Sequence, residues 1–138
     1  MENIDISWQQ IEDAVNNIVD RIKENQDTFD VIIGLSRGGL IPAVMLSHKL
    51  NIPLIPVVWQ TRDGNTQWRD IVAIHNKSTT LVVDDLVDSG RTYSEIMNIA
   101  GNVKFAALYN KQYSIVLDYW GTTLYSDRWL CFPWENNT

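Results

Sequence analysis

Apolar residues recur at Trp8, Ile11, Val15, Ile18 and Ile22, at spacings of 3, 4, 3 and 4. That period puts them on one face of an amphipathic helix from Trp8 to Glu24, opened by a capping box of Ser7 with Gln10. Beyond it the pattern changes to short, continuous apolar runs. Asp30–Leu35 (DVIIGL) reads as a strand buried on both faces. It passes through Ser36-Arg37-Gly38-Gly39 into a predicted helix, Leu40–Leu50, with Pro42 in its first turn. Ile52–Trp59 is expected as a third strand, irregular or at an edge because Pro53 and Pro56 interrupt it.

The passage Gln60–Arg69 is the most polar and turn-rich in the chain. Asp63-Gly64 and Asn65 suit either a mobile lid carrying Arg62, Gln67, Trp68 and Arg69 or a plain exposed hairpin. Asp70–Ile74 is expected to return from it as a short alternating strand. Leu81-Val82-Val83 reads as another buried strand, followed by a helix over Tyr93–Ala100 that Gly101 stops. Val103–Tyr109 and Ile115–Trp120 complete the strands. Trp129–Glu135 closes the ordered chain, and Asn136–Thr138 should fray. Strands alternating with helices predict an α/β fold with a mainly parallel central sheet flanked by helices, in one domain over 1–138.

Composition narrows the class. The chain has 138 residues, 45% of them hydrophobic, enough for one core. No apolar run nears the length of a membrane span, and MENIDISWQQ lacks the basic-then-apolar order of a signal peptide. Cys131 is the only cysteine, which leaves no internal disulfide and fits a reducing cytoplasm. In Trp-Leu-Cys-Phe it reads as a buried structural thiol. A net charge of −6 argues against nucleic acid as a partner. It also requires that any anionic ligand be held by local donors. Walker and Gly-x-Gly-x-x-Gly sequences are absent, and His48 and His75 lack partners at zinc-ligand spacing.

The chemistry gathers in Thr80–Thr92, TLVVDDLVDSGRT. A buried strand ends in Asp84 and Asp85, at the edge where wound sheets bind ligands. Asp88, Ser89, Gly90, Arg91 and Thr92 then form a glycine-bearing turn, and Thr92 with Glu95 predicts a capping box for the following helix. Backbone N–H groups in such a turn make an anion cradle. Three acids beside it call for a ligand with both hydroxyls and phosphates, or for a metal between, and a phosphosugar with Mg²⁺ meets both conditions. Arg37, in the other Gly-rich turn, is placed to meet a phosphate or pyrophosphate. Gly34-Leu35-Ser36-Arg37-Gly38 also fits the nucleophile elbow of serine hydrolases. That alternative would need His75 as the base.

VVDDLVDSGRT resembles the phosphoribosyl-pyrophosphate signature of type I phosphoribosyltransferases, and LSRGGLIPA resembles their pyrophosphate loop. The order of parts through Lys111 to Trp129–Trp134 is most similar to the small bacterial xanthine-guanine and hypoxanthine enzymes. The resemblance implies a cytoplasmic purine-salvage transferase, a homodimer or homotetramer, with terminal segments forming a small hood over the sheet. Its substrates would be 5-phosphoribosyl 1-pyrophosphate and a 6-oxopurine, hypoxanthine or guanine before xanthine. It also implies roles. Asp84 and Asp85 would face the ribose hydroxyls, with Asp85 near Mg²⁺, and Asp88 would lie beside N7 of the purine. Asp88, Ser89, Gly90, Arg91 and Thr92 would hold the 5′-phosphate, and Ser36, Arg37 and Gly38 the pyrophosphate. Lys111 would donate to the purine 6-oxo group, and Trp129 with Leu130 would stack on the base or offer backbone contacts to its 2-position. A non-catalytic sensor of the sugar diphosphate is the alternative within the same fold.

Overall fold

The computed structural model describes residues 3–58, 67–111 and 115–135. A two-residue strand β1 (Ile4–Asp5) leads into helix α1 (Trp8–Glu24), which starts at the predicted residue. Ser7 caps it as a full capping box with Gln10, its hydroxyl accepting from the Gln10 N–H at 3.1 Å. Ile11, Ala14, Val15, Ile18, Val19 and Ile22 form the buried face. Trp8 does not join them. It is 54% exposed and turns its ring toward Trp134, 6.0 Å away, because the first residue of the helix overhangs the core.

Strand β2 (Val31–Ser36) is followed by α2 (Leu40–Leu50) and strand β3 (Leu54–Val58). The passage read as a lid or hairpin lies outside the described residues as far as residue 66. From there the expectation is corrected: helix α3 (Gln67–Ile74) takes in both the end of the supposed loop and the strand expected at Asp70–Ile74. Trp68 and Val72, one helical turn apart, are both buried, and Ile71 packs beside them. The adjacent apolar pair Ile71-Val72 fits a helix face better than a strand that alternates. Arg69 lays its guanidinium 4.9 Å from the Trp68 ring.

Strand β4 (Thr80–Val87), helix α4 (Arg91–Ile99) and strand β5 (Lys104–Asn110) follow. Strand β6 is Tyr119–Thr123, later than the predicted Ile115–Trp120. Asp118 is used before the strand begins, its carboxylate accepting from the Phe105 N–H at 2.9 Å. Strand β7 (Leu130–Cys131) is the last element, and the expected fraying of Asn136–Thr138 falls outside the described residues.

Five strands form one sheet in the order β3-β2-β4-β5-β6, every pair parallel. Side chains alternate through it with the two-residue period of a strand. Leu81 and Val83 of β4 pack with Ile11, Val15, Ile18 and Leu46 on the face covered by α1 and α2. Val82 packs with Ile33, Trp68, Ile96 and Phe105 on the face covered by α3 and α4. Both faces are buried, so the strands carry unbroken apolar runs. Each fully buried aliphatic side chain contributes about 1.5–3 kcal/mol.

The predicted hood is present. β1 and β7 pair in parallel, Ile4 with Leu130 and Asp5 with Cys131, joining the two ends of the chain. Phe132 and Trp134 stack at 4.7 Å, and Tyr109 of β5 meets Phe132 at 5.9 Å, which seats the hood on the sheet. Cys131 is a buried free thiol.

Sheet order fixes where a ligand can enter. From β2 the chain winds outward to β3, and from β4 it winds the other way to β5 and β6. Between the carboxyl ends of β2 and β4 lies the switch point, where connections diverge and leave a crevice.

Candidate active site

Two turns meet at this crevice. The turn after β2 carries Ser36, Arg37, Gly38 and Gly39, with a cis peptide bond between Ser36 and Arg37. It is closed by the Gly39 N–H donating to the Leu35 carbonyl at 2.9 Å. Gly38 lies directly over Asp85, so a Cβ there would stand 2.0 Å from Asp85 Oδ2. Only glycine permits this approach. The structure therefore brings the turn of Ser36, Arg37 and Gly38 together with the paired acids. A cavity of about 680 Å³ opens from it, lined by Arg37, Gly38, Leu40, Asp85, Trp134 and Glu135.

Asp84 and Asp85 sit near the end of β4, and Asp84 Oδ1 accepts from the Asp85 N–H at 2.8 Å. Burial pushes the Asp84 carboxyl well above the usual carboxylate range, and the neighbouring Asp85 charge adds to it. Burial likewise raises Asp85, with the Glu135 charge acting in the same direction. Two crowded carboxylates of this kind are stabilised by a cation. Their oxygen-only donor set suits a hard ion such as Mg²⁺.

The second turn runs from Asp88 to Thr92. Gly90 has φ +84°, and a Cβ on it would meet Ile115 Cδ1 at 2.3 Å, so this position also requires glycine. The predicted Thr92–Glu95 capping box is corrected here. Gly90 is the N-cap of α4 and gives no side-chain cap, while Thr92 is already inside the helix. Glu95 pairs with Arg91 instead, Nε to Oε1 at 3.3 Å. The left-handed glycine starts the helix earlier than the Thr-x-x-Glu pattern indicates. Gly90 gives no side-chain cap, the Arg91 N–H donates to Ser89 Oγ at 3.3 Å, and a small cavity of about 50 Å³ lined by Asp84, Asp88, Ser89, Gly90, Arg91 and Thr92 lies at this helix start. Uncapped helix N-termini of this kind bind anions.

Lys111 follows β5, its N–H donating to the Val87 carbonyl at 2.8 Å. Its Nζ donates to the Arg128 carbonyl at 3.0 Å and lies 3.8 Å from Asp88 Oδ1. The structure thus brings Lys111, Asp88 and the hood together. Trp129 is 65% exposed. The Leu130 side chain is buried in the core, which leaves its main chain for the backbone-contact alternative. The Trp129 and Cys131 carbonyls accept from Ile4 and Ile6 N–H groups at 2.8 and 2.9 Å. By strand alternation, the main-chain groups of Leu130 point to the opposite side, where Lys111 holds the Arg128 carbonyl.

Sequence reasoning assigned no role to Glu135 or Trp134. Glu135 Oε1 accepts from the Phe132 N–H at 2.8 Å, which fixes a turn that carries both residues into the cavity wall. Nothing local in Phe-Pro-Trp-Glu marks this, because the hood is placed by pairing with the other end of the chain. The serine-hydrolase alternative is not supported. Ser36 is at the carboxyl end of β2, whereas His75 precedes β4 in the turn through Lys77 and Thr80, at the amino edge of the sheet.

The phosphoribosyl transferase domain model matches residues 7–118, and the chain belongs to that family. It is 31% identical to the xanthine-guanine phosphoribosyltransferase of Idiomarina loihiensis, an alignment covering 94% of this chain and 85% of that protein. The enzyme of the same name from Desulfotalea psychrophila is also 31% identical, over 96% of this chain and 86% of its own length. Among solved structures, the purine phosphoribosyltransferase of Pyrococcus horikoshii superposes with a TM-score of 0.73 at 31% identity, over 100% of this chain and 97% of that one. The Helicobacter pylori xanthine-guanine-hypoxanthine phosphoribosyltransferase shares the fold, with a TM-score of 0.71 at 18% identity.

Proposed function

We propose that the protein is a purine-salvage phosphoribosyltransferase, converting a 6-oxopurine and 5-phosphoribosyl 1-pyrophosphate into a purine nucleoside 5′-monophosphate and pyrophosphate. The observation that carries this reading is the meeting of the two turns at the switch point. Gly38 is seated on Asp85, the anion pocket of Asp88–Thr92 lies on the same strand end, and Lys111 faces Asp88.

In this reading the 5′-phosphate occupies the small cavity, held by backbone N–H groups of Asp88–Thr92 and the Ser89 and Thr92 hydroxyls. Asp84 and Asp85 face the ribose hydroxyls. Departure of pyrophosphate leaves positive charge on the sugar ring, which these carboxylates stabilise. Ser36, Arg37 and the Gly38 backbone hold the leaving group, with Arg37 supplying a fixed positive charge. Asp85, with Asp84 beside it, is the residue that would hold Mg²⁺. The ion, when bound, supplies further charge against the departing pyrophosphate.

Asp88 lies beside N7 of the base and accepts its proton or a hydrogen bond. Lys111 can only donate, so it selects a 6-oxo over a 6-amino purine. Trp129 stacks on the base, and the Leu130 carbonyl reads the 2-position. A carbonyl accepts from a 2-amino group and repels a 2-oxo group, which puts guanine first and xanthine last. The protein is read as a cytoplasmic homodimer or homotetramer. Incubating it with phosphoribosyl pyrophosphate, Mg²⁺ and single bases, then separating products by chromatography, tests the reading. Nucleotide from guanine or hypoxanthine is expected, and its absence with every 6-oxopurine would refute the assignment.

A further inference from the structure

Asn110 is the last residue of β5 and is 4% exposed, a polar side chain buried after the apolar run of residues 105–109. Its main chain belongs to the sheet, opposite Val87 of β4, and its carbonyl accepts from the Leu124 N–H at 2.9 Å. Those bonds need no particular side chain, and an apolar residue would meet them equally. Burying an amide costs free energy unless it is hydrogen-bonded, so its partner shows what the amide is there to do. Nδ2 of Asn110 donates to the Ile115 carbonyl at 3.0 Å, which anchors Ile115 to the end of β5.

The anchored residue is the one that touches the turn after β4. Ile115 packs against the cluster that includes Val87, Ile96 and Phe105. Its Cδ1 lies 2.3 Å from the place where a Cβ on Gly90 would stand. Gly90 holds a left-handed conformation, φ +84°, at the start of α4, and a glycine has no side chain of its own to keep it there. Ile115 occupies the space into which the turn would relax. Resting on the phosphoribosyltransferase reading, we propose that Asn110 is a positioning residue for the sugar phosphate. It holds Ile115 against Gly90, and the braced glycine keeps the turn in the shape that receives the 5′-phosphate. Neither Asn110 nor Ile115 touches the ligand in this arrangement. Lys111, although adjacent in sequence, is held separately by the Val87 and Arg128 carbonyls, so binding of the base does not depend on the brace.

Ribose 5-phosphate carries the 5′-phosphate without the pyrophosphate, and its binding can be followed by calorimetry with no base present. Asn110→Ala should weaken it about fivefold. Ile115→Val removes the one methyl group that meets Gly90 on a half-buried side chain, and should weaken it about threefold in a protein that still folds. Because Asn110 acts through Ile115, the double variant should bind no more weakly than Asn110→Ala alone. In turnover, KM for the sugar diphosphate should rise by the same factors while kcat and KM for the base stay as they were. Wild-type affinity in either variant, with Tm alone lowered, would reduce the pair to a structural contact and overturn the proposal. Additive losses in the double variant, or equal losses for sugar and base, would overturn the route through Ile115. Absence of ribose 5-phosphate binding by the unaltered protein would overturn it as well. Failure here is separable from failure of the broader reading. Nucleotide formation with unaltered Ile115→Val kinetics removes this inference alone, whereas brace-dependent sugar-phosphate binding with no nucleotide from any purine removes the enzymatic assignment.

Discussion

At the scale of single residues, the site depends on what a few positions lack as much as on what they carry. Gly38 is the clearest case. A methyl group there would lie inside the Asp85 carboxylate, 2.0 Å from Oδ2, so either the turn or the acid must shift. Misplacement of about an ångström costs on the order of 100-fold in rate. Gly38→Ala should therefore lower kcat/KM by about that factor with little change in Tm, measured by steady-state kinetics beside thermal melting. Asp88 tests a different link. Asp88→Asn keeps the shape and removes the base, so kcat should fall far more than sugar-diphosphate affinity weakens, and kinetics beside calorimetry will separate the two. Most of these side chains are legible in the sequence, because Asp84, Asp85 and Asp88 follow an apolar run at a strand end and Arg37 lies in a glycine turn. Glu135 and Trp134 are not legible. Their positions depend on β7 meeting β1, a pairing between chain ends that no local pattern encodes.

At the scale of elements, the apolar pattern identifies α1, β2, α2, β3 and β5 within a residue or two, while β4 runs four residues past the apolar Leu81–Val83 and takes in both aspartates. It misreads α3, where a short segment carries Trp68 and Val72 on one face and the apparent alternation of Asp70–Ile74 is coincidental. It also misplaces the start of α4, since the positive φ of Gly90 is not visible in Ser-Gly-Arg-Thr. One tie between elements is testable through pH. Asp27, just after α1, accepts from Lys104 of β5 at 2.8 Å and from the Tyr119 hydroxyl of β6. The Lys104 hydrogen bond, then that from Tyr119, lowers the Asp27 carboxyl below its ordinary value. Burial, with Asp27 adding to it, pushes the Tyr119 phenol up to about 12. For an acid held lower in the folded state, the stabilisation is full above the unfolded pKa of about 3.9 and is lost as pH falls through the folded value. The Asp27 contribution to stability should thus fade as the solution is acidified below about pH 4. Asp27→Asn should lose about 1 kcal/mol at neutral pH, several degrees in Tm, and should show a shallower acid decline. Melts across pH 2–7 (about the window these values imply) will check it, and parallel curves for the two proteins would contradict the assignment.

At the scale of the whole molecule, one winding rule places the chemistry. β2 and β4 are neighbours whose connections leave in opposite directions, so residues far apart in sequence reach a common crevice. The family model covers residues 7–118, which hold the pyrophosphate turn, the paired acids, the phosphate turn and Lys111. The hood's second strand, β7, lies beyond that range. With a net charge of −6, the proposed capture of an anionic substrate rests on local donors and on a cation at Asp84 and Asp85. Removing divalent ions with a chelator should abolish nucleotide formation, and Mg²⁺ should restore it. The most direct measurement is kcat/KM for guanine, hypoxanthine, xanthine and adenine with phosphoribosyl pyrophosphate and Mg²⁺, following nucleotide and pyrophosphate together. The account predicts equal amounts of both products, guanine and hypoxanthine ahead of xanthine, and adenine slower by on the order of 100-fold or more because Lys111 offers its 6-amino group no acceptor. Preference for adenine, or pyrophosphate release without nucleotide, would contradict it.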